Sequence, residues 1–479
     1  MNEAPELRVR EVRFFEGDVR LRLPFRFGVA TLTEAPQAYV RVRVAASDGR
    51  EAWGQAAELL APKWFDKDLT LTNEQNFDQL RVALGTAAAL YRDAGPASAF
   101  GLHAQVYPEQ LRRCAARRLN PLVASFGPAL LDRAILDALG RLEERSVFSL
   151  ARANRIGLDA RLTPDLDGFD IDAFLRERAP ARTLYARHTV GIVDPLTADD
   201  LPDGRRLDDG LPQTLVECID FYGLRFFKLK VRGDLDADLD RLAGIAAVLD
   251  RIEGDYRATL DGNEQFADAD GIATLWRAMG ERPELARLCR AILFVEQPVT
   301  RARALETDIR PPGDQVPVEI DESDAALDAF PTASGLGYTG VSSKACKGVY
   351  KSLLNRARCA AWNVEAGVER FFMSAEDLTT QAGLAVQQDL AIAALIGCTH
   401  VERNGHHYVR GLSGLPPDEQ RRWLAAHPDL YVDDGGLVRL RIADGRIAIG
   451  SLDRPGFAAG TEPDWQALRE VTYTEPADA

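Results

Sequence analysis

Apolar and polar positions change their spacing along this chain, and the changes predict two kinds of structure. Over residues 7–60, apolar and polar residues alternate, and residues typical of a turn occur at 47–50, so we predict antiparallel strands. From about 71–150 the spacing becomes that of amphipathic helices, with a clear stripe whose helix is predicted to start at Pro128. A sheet followed by helices predicts an α+β domain over residues 1–150.

Beyond this region, short apolar runs of strand character alternate with helix-patterned segments, at roughly thirty residues per unit. The first run is 183–189, the seventh is 370–374 and the eighth is 399–402. Repeats of this length are typical of parallel strand–helix–strand units, and eight of them close a barrel. We therefore predict a β/α barrel, in which the C-terminal strand ends all meet on one face.

The remaining stretches complete the predicted domain plan. Residues 151–180 are rich in Asp, Pro and Gly, and we interpret them as a linker before a catalytic barrel at 181–419. Residues 192–212 have the same character and predict a long loop. The strand-like runs within 435–449 are expected to pack against the first domain, which residues 420–479 would complete.

Charged side chains end five successive runs of the predicted barrel. In chain order they are Lys228 and Lys230, Asp261 with Asn263, Glu296, Asp321, and finally Lys344 and Lys347. Residues two apart on a strand share a face, so these side chains are expected to converge on one pocket. A single acid at a strand end is usually a helix cap or a turn residue, and a lone Lys-x-Lys is usually solvated. Three acids buried together without a cation would repel one another, so the pattern favours a metal site.

Composition narrows the class of protein and its partners. The 479 residues are 46% hydrophobic and 27% charged, which is ordinary for a globular enzyme with a large core. A formal net charge of −15 argues against nucleic acid or an anionic membrane as a partner. The six cysteines have no metal or disulfide spacing, and neither a signal-like N-terminus nor a bilayer-length apolar run occurs. We expect a cytoplasmic protein, and a homo-oligomer.

The motifs Lys-x-Lys, Asp-x-Asn, Glu-Gln-Pro, Asp-Glu-Ser and Lys-x-x-Lys-Gly occur in this order and resemble those of the enolase superfamily. Within it, the chain looks like the mandelate racemase/muconate lactonizing enzyme family. The stretches 23–28 and 131–138 resemble the start of that family's capping domain and the helix before its barrel. The resemblance implies an α/β fold, with a modified (β/α)7β-like TIM barrel, an N-terminal α+β capping domain and Mg²⁺ at the barrel mouth.

The resemblance also implies roles for individual positions. Asp261, Glu296 and Asp321 match the family's three metal ligands. Lys230 and Lys347 match its acid/base pair, and Lys228 and Lys344 match two supporting lysines. Glu376, just past the seventh strand, resembles the family's late pocket glutamate. A helix N-terminal acid is an equal alternative for it.

Five further residues are candidates for substrate binding. Arg26, Lys63 and Trp64 lie in predicted loops of the cap that could cover the pocket, where the two cations could meet a distal anion. Asn263 shares a face with the strand-end acid two residues before it, and His188 ends the first barrel strand. Packing at the domain interface is the alternative for the tryptophan, and an ordinary hydrogen-bonded side chain is the alternative for the histidine.

The chemistry that follows is removal of the proton alpha to the carboxylate of a small-molecule substrate. A divalent ion stabilises the enediolate as it forms, and members of this superfamily combine such ions with a lysine or histidine base. We expect an isomerase or lyase that completes an epimerisation, racemisation, cycloisomerisation or elimination. A sugar-acid dehydratase of the same superfamily and a non-catalytic barrel that binds metal and ligand are open alternatives.

Overall fold

The computed structural model describes residues 4–27, 30–201, 204–378 and 380–474. Three antiparallel strands begin the chain, as predicted: β1 (Leu7–Phe27), β2 (Ala30–Ala46) and β3 (Glu51–Leu59). Alternation builds the sheet, because Val40, Val42 and Val44 of the central strand are fully buried on its inner face.

Three helices follow: α1 (Asn73–Asp93), α2 (Ala99–Ala116) and α3 (Pro121–Leu142). The side chain of Asn120 caps α3 by accepting a hydrogen bond from the Val123 amide at 3.0 Å. Pro121 occupies the first helical turn, where a missing N–H leaves no bond unmade. The predicted start at Pro128 is wrong, since that proline lies inside the helix and the buried stripe already begins at Leu122.

β3 and α3 pack with their backbones in direct contact. A Cβ atom on Gly54 would lie 2.0 Å from the carbonyl oxygen of Ala134, so only glycine fits there. On the same helix, the Asp137 carboxylate accepts hydrogen bonds from the amides of Gln55 at 3.1 Å and Phe457 at 2.7 Å. The helix therefore joins the N-terminal sheet to the C-terminal segment.

The predicted linker contains two short helices, α4 (Val147–Arg152) and α5 (Ile171–Arg176). After it come eight parallel strands, as the repeat predicts: β4 (Thr183–Val190), β5 (Phe226–Lys230), β6 (Arg257–Asp261), β7 (Ile292–Glu296), β8 (Val318–Ile320), β9 (Gly340–Ser343), β10 (Phe372–Ala375) and β11 (His400–Arg403). Consecutive strands pair from β4 to β10, and β11 pairs with β4, so the sheet curls and brings β10 beside β11. This is the predicted modified TIM barrel.

Helices connect the strands: α6 (Leu215–Tyr222), α7 (Leu235–Leu249), α8 (Ala269–Glu281), α9 (Ala286–Ala291), α10 (Arg301–Ala304), α11 (Arg310–Gly313), α12 (Ala329–Gly335), α13 (Val349–Ala366) and α14 (Leu384–Leu395). The loop predicted at 192–212 precedes α6 and holds one turn of 3₁₀ helix where it is described. Within the described ranges, no helix combines the length and the apolar character needed to span a bilayer.

The chain after the barrel divides between the two sheets. It contains α15 (Gly405–Tyr408), α16 (Pro417–Ala426), β12 (Tyr431–Asp434), β13 (Leu437–Leu440), β14 (Arg446–Ala448) and β15 (Arg469–Val471). β14 pairs with the start of β4, so the expectation that 435–449 packs against the first domain is wrong for this strand. Pairing of β4 with β5 begins only at Arg187, which leaves a free edge along residues 183–185 for β14. β15 returns to the first domain and pairs with β1.

Replacing Gly54 by alanine should destabilise the protein. The new methyl group has no room against the backbone of α3, and overpacking of this kind costs about 1–3 kcal/mol. Gly280→Ala is a matched control, because a Cβ atom there meets nothing within 4 Å. Urea unfolding should show a lower midpoint for G54A and an unchanged or higher midpoint for G280A. A G54A midpoint equal to that of the wild type would contradict the tight contact.

Candidate active site

Strand register brings the charged strand ends of the barrel together. Lys230 on β5 pairs with Asp261 on β6, Asp261 with Glu296 on β7, and Glu296 with Glu319 on β8. Asp321 comes two residues after Glu319, on the same side of the chain and nearer the barrel mouth. The neighbour of Glu296 in register is therefore Glu319, and Asp321 stands above it.

The ammonium group of Lys228 lies at the centre of this buried cluster. Its Nζ atom is close to four carboxylates: Asp261 at 3.0 Å, Glu296 at 2.7 Å, Glu376 at 2.8 Å and Glu402 at 3.1 Å. Burial opposes the charged form of this lysine, but the four acids outweigh it and raise the pKa of Lys228 well above its usual value. The cluster therefore keeps a cation inside the barrel at neutral pH.

A second buried cation, Arg187 on β4, lies deeper in the barrel. Its guanidinium donates hydrogen bonds to the Glu376 carboxylate and, at 3.3 Å, to the carbonyl of Ala375. Glu319 accepts a hydrogen bond from the Ser374 hydroxyl through Oε1, but its buried Oε2 has no hydrogen-bond partner. Burial, and then the Glu376 charge, raise the pKa of Glu319 well above its usual range. This layer is short of positive charge.

Above Lys228, a cavity lies between the barrel and the first domain. The barrel provides its polar floor: Lys228, Lys230, Asp261, Asn263, Asp321, Lys344, Asp377 and Glu402. Its apolar roof comes from the first domain and one barrel loop: Phe25, Leu32, Ala61 and Trp64, with Leu378. One cavity therefore combines lysines and carboxylates with an apolar cover.

Lys230, on β5, and Lys344, just after β9, lie on opposite sides of the barrel floor, because three strands separate β5 from β9. Lys230 Nζ donates hydrogen bonds to Asp261 Oδ2 at 2.6 Å and to Asn263 Oδ1 at 2.7 Å. Lys344, which follows β9, donates to Asp321 Oδ2 at 2.8 Å. Burial is the largest influence and opposes its charge, but Asp321, Glu296 and Glu376 together raise the pKa of Lys344 above its usual value.

Lys347 lies behind Lys344. Its Nζ atom donates hydrogen bonds to the Ser342 hydroxyl at 2.7 Å and to Asp321 Oδ1 at 3.2 Å, and it lies 3.3 Å from Asp324 Oδ2. A turn of 3₁₀ helix over Ala345–Lys347 carries it away from the cavity, whose described lining does not include it. The lysine of this pair that faces the cavity is therefore Lys344, whereas the resemblance gives the acid/base role to Lys347.

Comparison with known proteins gives a clear result at the level of fold. No family model matches this chain, and neither does any curated protein. Solved structures do. An N-succinyl Arg/Lys racemase from Bacillus cereus has a TM-score of 0.61 at 17% identity, over 98% of this chain and 100% of that one. A dipeptide epimerase from Enterococcus faecalis, complexed with Mg and the dipeptide L-Leu-L-Tyr, has 0.59 at 15%, over 94% and 99%.

A member of the enolase superfamily from Roseovarius nubinhibens has a TM-score of 0.55 at 18% identity, over 97% of this chain and 99% of that one. This chain has the enolase-superfamily fold. At these identities the likeness establishes the fold, and the chemistry has to be argued from the residues of the site.

Two predicted substrate-binding residues lie in the cavity wall of this enolase-superfamily fold. The side chain of Asn263 accepts the hydrogen bond from Lys230 described above, and its backbone N–H donates to Asp261 Oδ1 at 2.8 Å. Trp64 places its ring centre 5.2 Å from the ammonium of Lys344, within the range of a cation–π contact. The packing alternative suits its neighbour Phe65, whose ring contacts Phe126 inside the first domain.

The other predicted substrate-binding residues lie outside the described lining of the cavity. Lys63 donates hydrogen bonds to carbonyl groups of its own loop, and Arg26 is exposed. Glu376 lies beneath the floor of the cavity, where its carboxylate pairs with Arg187 and Lys228. His188 lies on the outer side of β4, with Nδ1 3.0 Å from His406 Nε2, and burial lowers its pKa to about 3.

The sequence prediction omitted several residues of the site, and two signals could have found them. Glu402 ends the predicted eighth strand, so the rule that selects Asp261 also selects it. Alternation along the first strand places Arg187 and Thr189 on the same face, and the Thr189 hydroxyl donates to Glu402 at 2.6 Å. His188 stands between them and must point outward.

The amino-acid usage of the chain marks the same site. It contains 58 basic residues, of which 51 are arginine and 7 are lysine. Five of those lysines are buried in or beside the carboxylate cluster: Lys228, Lys230, Lys344, Lys347 and Lys351. The other two, Lys63 and Lys67, lie in the cap segment next to the cavity. Lysine is concentrated where a compact or removable charge is useful, because arginine stays protonated.

A divalent cation fits the donor set of the site. Among the described residues, carboxylate oxygens of Glu296, Glu319 and Glu376 approach within 4.8 Å of one another, a group that shares Glu296 with the predicted ligands. Asp261 and Asp321 line the cavity above it. Burial, and next Asp261, raise the pKa of Glu296 well above its usual range, as expected where acids exceed nearby cations. Clustered carboxylate oxygens suit a hard cation.

Replacing Lys228 by methionine should leave four buried carboxylates without their shared cation. We expect a loss of about 3–5 kcal/mol in the free energy of unfolding at neutral pH. Without the lysine, the acids take up protons in the folded state as the pH falls, so the deficit should shrink between about pH 8 and about pH 5. Urea unfolding at both pH values measures this change.

Arg310→Met serves as the control for this substitution. Arg310 is 59% exposed and pairs with Asp308, which is 49% exposed, so its loss should change the free energy of unfolding little. A pH-independent deficit for K228M, or one as small as that of R310M, would show that the cluster does not depend on this cation.

Proposed function

We propose that this protein is an enzyme that removes the proton alpha to a substrate carboxylate and delivers a proton to the opposite face of the same carbon. The observation that carries the proposal is the position of Lys230 and Lys344, which face one cavity from opposite sides of the barrel. One lysine, when neutral, takes the proton, and the other, as an ammonium, supplies one. The net reaction is a racemisation or an epimerisation.

The proposed cofactor is Mg²⁺, which Asp261, Glu296 and Asp321 would hold. When bound, such an ion stabilises the negative charge that proton removal places on the substrate carboxylate. Lys344 can act as a base only when Asp321 stabilises its charged ammonium form less strongly. If Asp321 also binds a cation, its effect on the lysine falls and the pKa of Lys344 moves down toward the working pH.

Other residues around the cavity position these groups. Gln297 accepts hydrogen bonds from the amides of Asp321 at 2.8 Å and Ser323 at 3.1 Å, which fixes the loop that carries the acid. Its backbone has a φ of 33°, a left-handed conformation that is uncommon for a residue with a side chain. Lys347 donates to the carbonyl of Asp321 at 3.1 Å and supports the same loop from behind. These contacts hold the acid opposite Lys344.

The named activities of similar structures support this reaction class. Two of them are a racemase for N-succinyl arginine and lysine and a dipeptide epimerase, and the second holds Mg. Both reactions invert a carbon next to a carboxyl-derived group. They agree with the paired lysines of this chain.

Exchange of substrate α-protons with D₂O tests the proposed reaction. NMR of α-substituted carboxylates incubated with the protein and Mg²⁺ should show deuterium entering both configurations. Lys230→Ala and Lys344→Ala should each lower exchange at one configuration on the order of 100-fold or more, because each removes one acid/base group. Lys347→Ala should retain exchange at both. Loss confined to K347A, or wild-type exchange in both K230A and K344A, would contradict the assignment.

Mg²⁺ should stabilise the folded protein, because it binds the native carboxylates more tightly than the unfolded chain. At a concentration about 100 times the Kd, the gain is about 2.7 kcal/mol. Asp261→Asn and Asp321→Asn should lose most of the resulting shift in Tm, whereas Asp308→Asn, in an exposed pair with Arg310, should keep it. Thermal unfolding with and without Mg²⁺ makes the comparison. Equal shifts in D261N and D308N would rule out the proposed ligands.

A further inference from the structure

We infer that the substrate is a monocarboxylate whose α-substituent is compact and apolar. The inference rests on the proposed function and adds the substrate class to it. It comes from the opposite character of the two walls of the cavity. The lysines that can meet a carboxylate all lie in the barrel floor, whereas the described roof is formed by apolar side chains: Phe25, Leu32, Ala61, Trp64 and Leu378.

The cations of the cap are committed elsewhere. The ammonium of Lys63 donates a hydrogen bond to the carbonyl of Asp68 at 2.8 Å, inside its own loop. Lys67 is paired with Glu264 on the barrel rim. Arg26 is exposed and lies outside the described lining of the cavity. A second anionic group on the substrate would therefore meet hydrocarbon and no cation in the described roof.

The charges of the floor favour one anionic group over two. Three lysines and four carboxylates line it, and two of those acids, Asp377 and Glu402, are not among the proposed metal ligands. Together with Glu296, the third proposed ligand, these acids, the three lysines and a bound divalent ion carry no net charge. The ion and the lysines can hold one carboxylate, whereas a second one would add buried negative charge beside Asp377 and Glu402.

The size of the cavity favours a compact substituent. The space open to the centres of water molecules is only about 30 Å³, so any substrate has to displace part of the roof. Trp64 is 5% exposed and Leu32 is 2% exposed, so both are already packed over the floor. A large distal group would have to displace them further than a small aliphatic group, so a small group fits at a lower cost in packing.

Calorimetric binding of two α-hydroxy acids in the presence of Mg²⁺ tests the inference. Leucic acid carries an isobutyl substituent, and malic acid carries a carboxymethyl group of similar size in its place. We expect leucic acid to bind the wild-type protein on the order of tenfold or more tightly than malic acid. Malic acid binding as tightly, or no detectable binding of leucic acid at millimolar concentration, would overturn the inference.

A pair of variants checks that the roof sets this preference. Leu32→Arg places a cation in the apolar wall and should shift the ratio of affinities toward malic acid on the order of tenfold, whereas Leu32→Met, the neutral control, should keep the wild-type ratio. An unchanged ratio in L32R, with the protein folded by circular dichroism, would overturn the role of the roof.

The same samples separate this inference from the proposed function. Selective binding of leucic acid without any exchange of its α-proton in D₂O would contradict the reaction and leave the binding preference standing. Exchange that is faster with malic acid than with leucic acid would support the reaction and overturn the preference.

Discussion

Four carboxylates share the ammonium group of Lys228, and the interior of the barrel depends on this sharing. The acids lie at or just beyond the ends of four different strands, so parallel pairing forces them together whether or not they attract. Each would cost several kcal/mol if buried alone, since low-dielectric surroundings disfavour an unpaired charge. One compact cation placed among them offsets part of that cost for all four at one point. The layer beneath shows what happens where cations run short, because Glu319 there keeps an oxygen with no hydrogen-bond partner and a raised pKa.

Much of this arrangement could be predicted, because the strand ends are periodic in sequence and a parallel barrel has one C-terminal face. That reasoning places Lys230, Asp261 and Asp321 around one cavity, as the structure does. What it could not supply is the register between neighbouring strands, which makes Glu319 the neighbour of Glu296. It could not supply the turn of 3₁₀ helix after β9 either. Because of this turn, Lys344 faces the cavity and Lys347 lies behind it, whereas the resemblance gives the acid/base role to Lys347. The partner of a buried acid depends on side chains far away in sequence, and no spacing rule encodes them.

The two domains divide the work of enclosing the cavity, and specific contacts hold them together at its edge. Arg22, on β1 of the first domain, donates hydrogen bonds to the Asp209 carboxylate at 2.6 and 2.9 Å and to the carbonyl of His407 at 2.8 Å. On the other side, Arg133 of α3 is fully buried and pairs with Glu58 at 2.8 Å, while its guanidinium reaches Gln388 of the barrel at 3.4 Å. The apolar roof is thus attached to the charged floor by fixed polar contacts, so its shape is defined together with that of the barrel.

The confinement of lysine to seven positions has a practical consequence. In most proteins, ε-amino groups are scattered over the surface, and a signal from them averages over the whole molecule. Here they lie within or beside one cavity, and five of them are buried there. Isotope labelling at the lysine side chain would yield at most seven NMR resonances, each reporting on the local protonation state without any engineered probe. The same scarcity means that an amine-directed reagent would modify little of the molecule outside this region, so the site can be followed in the unaltered chain.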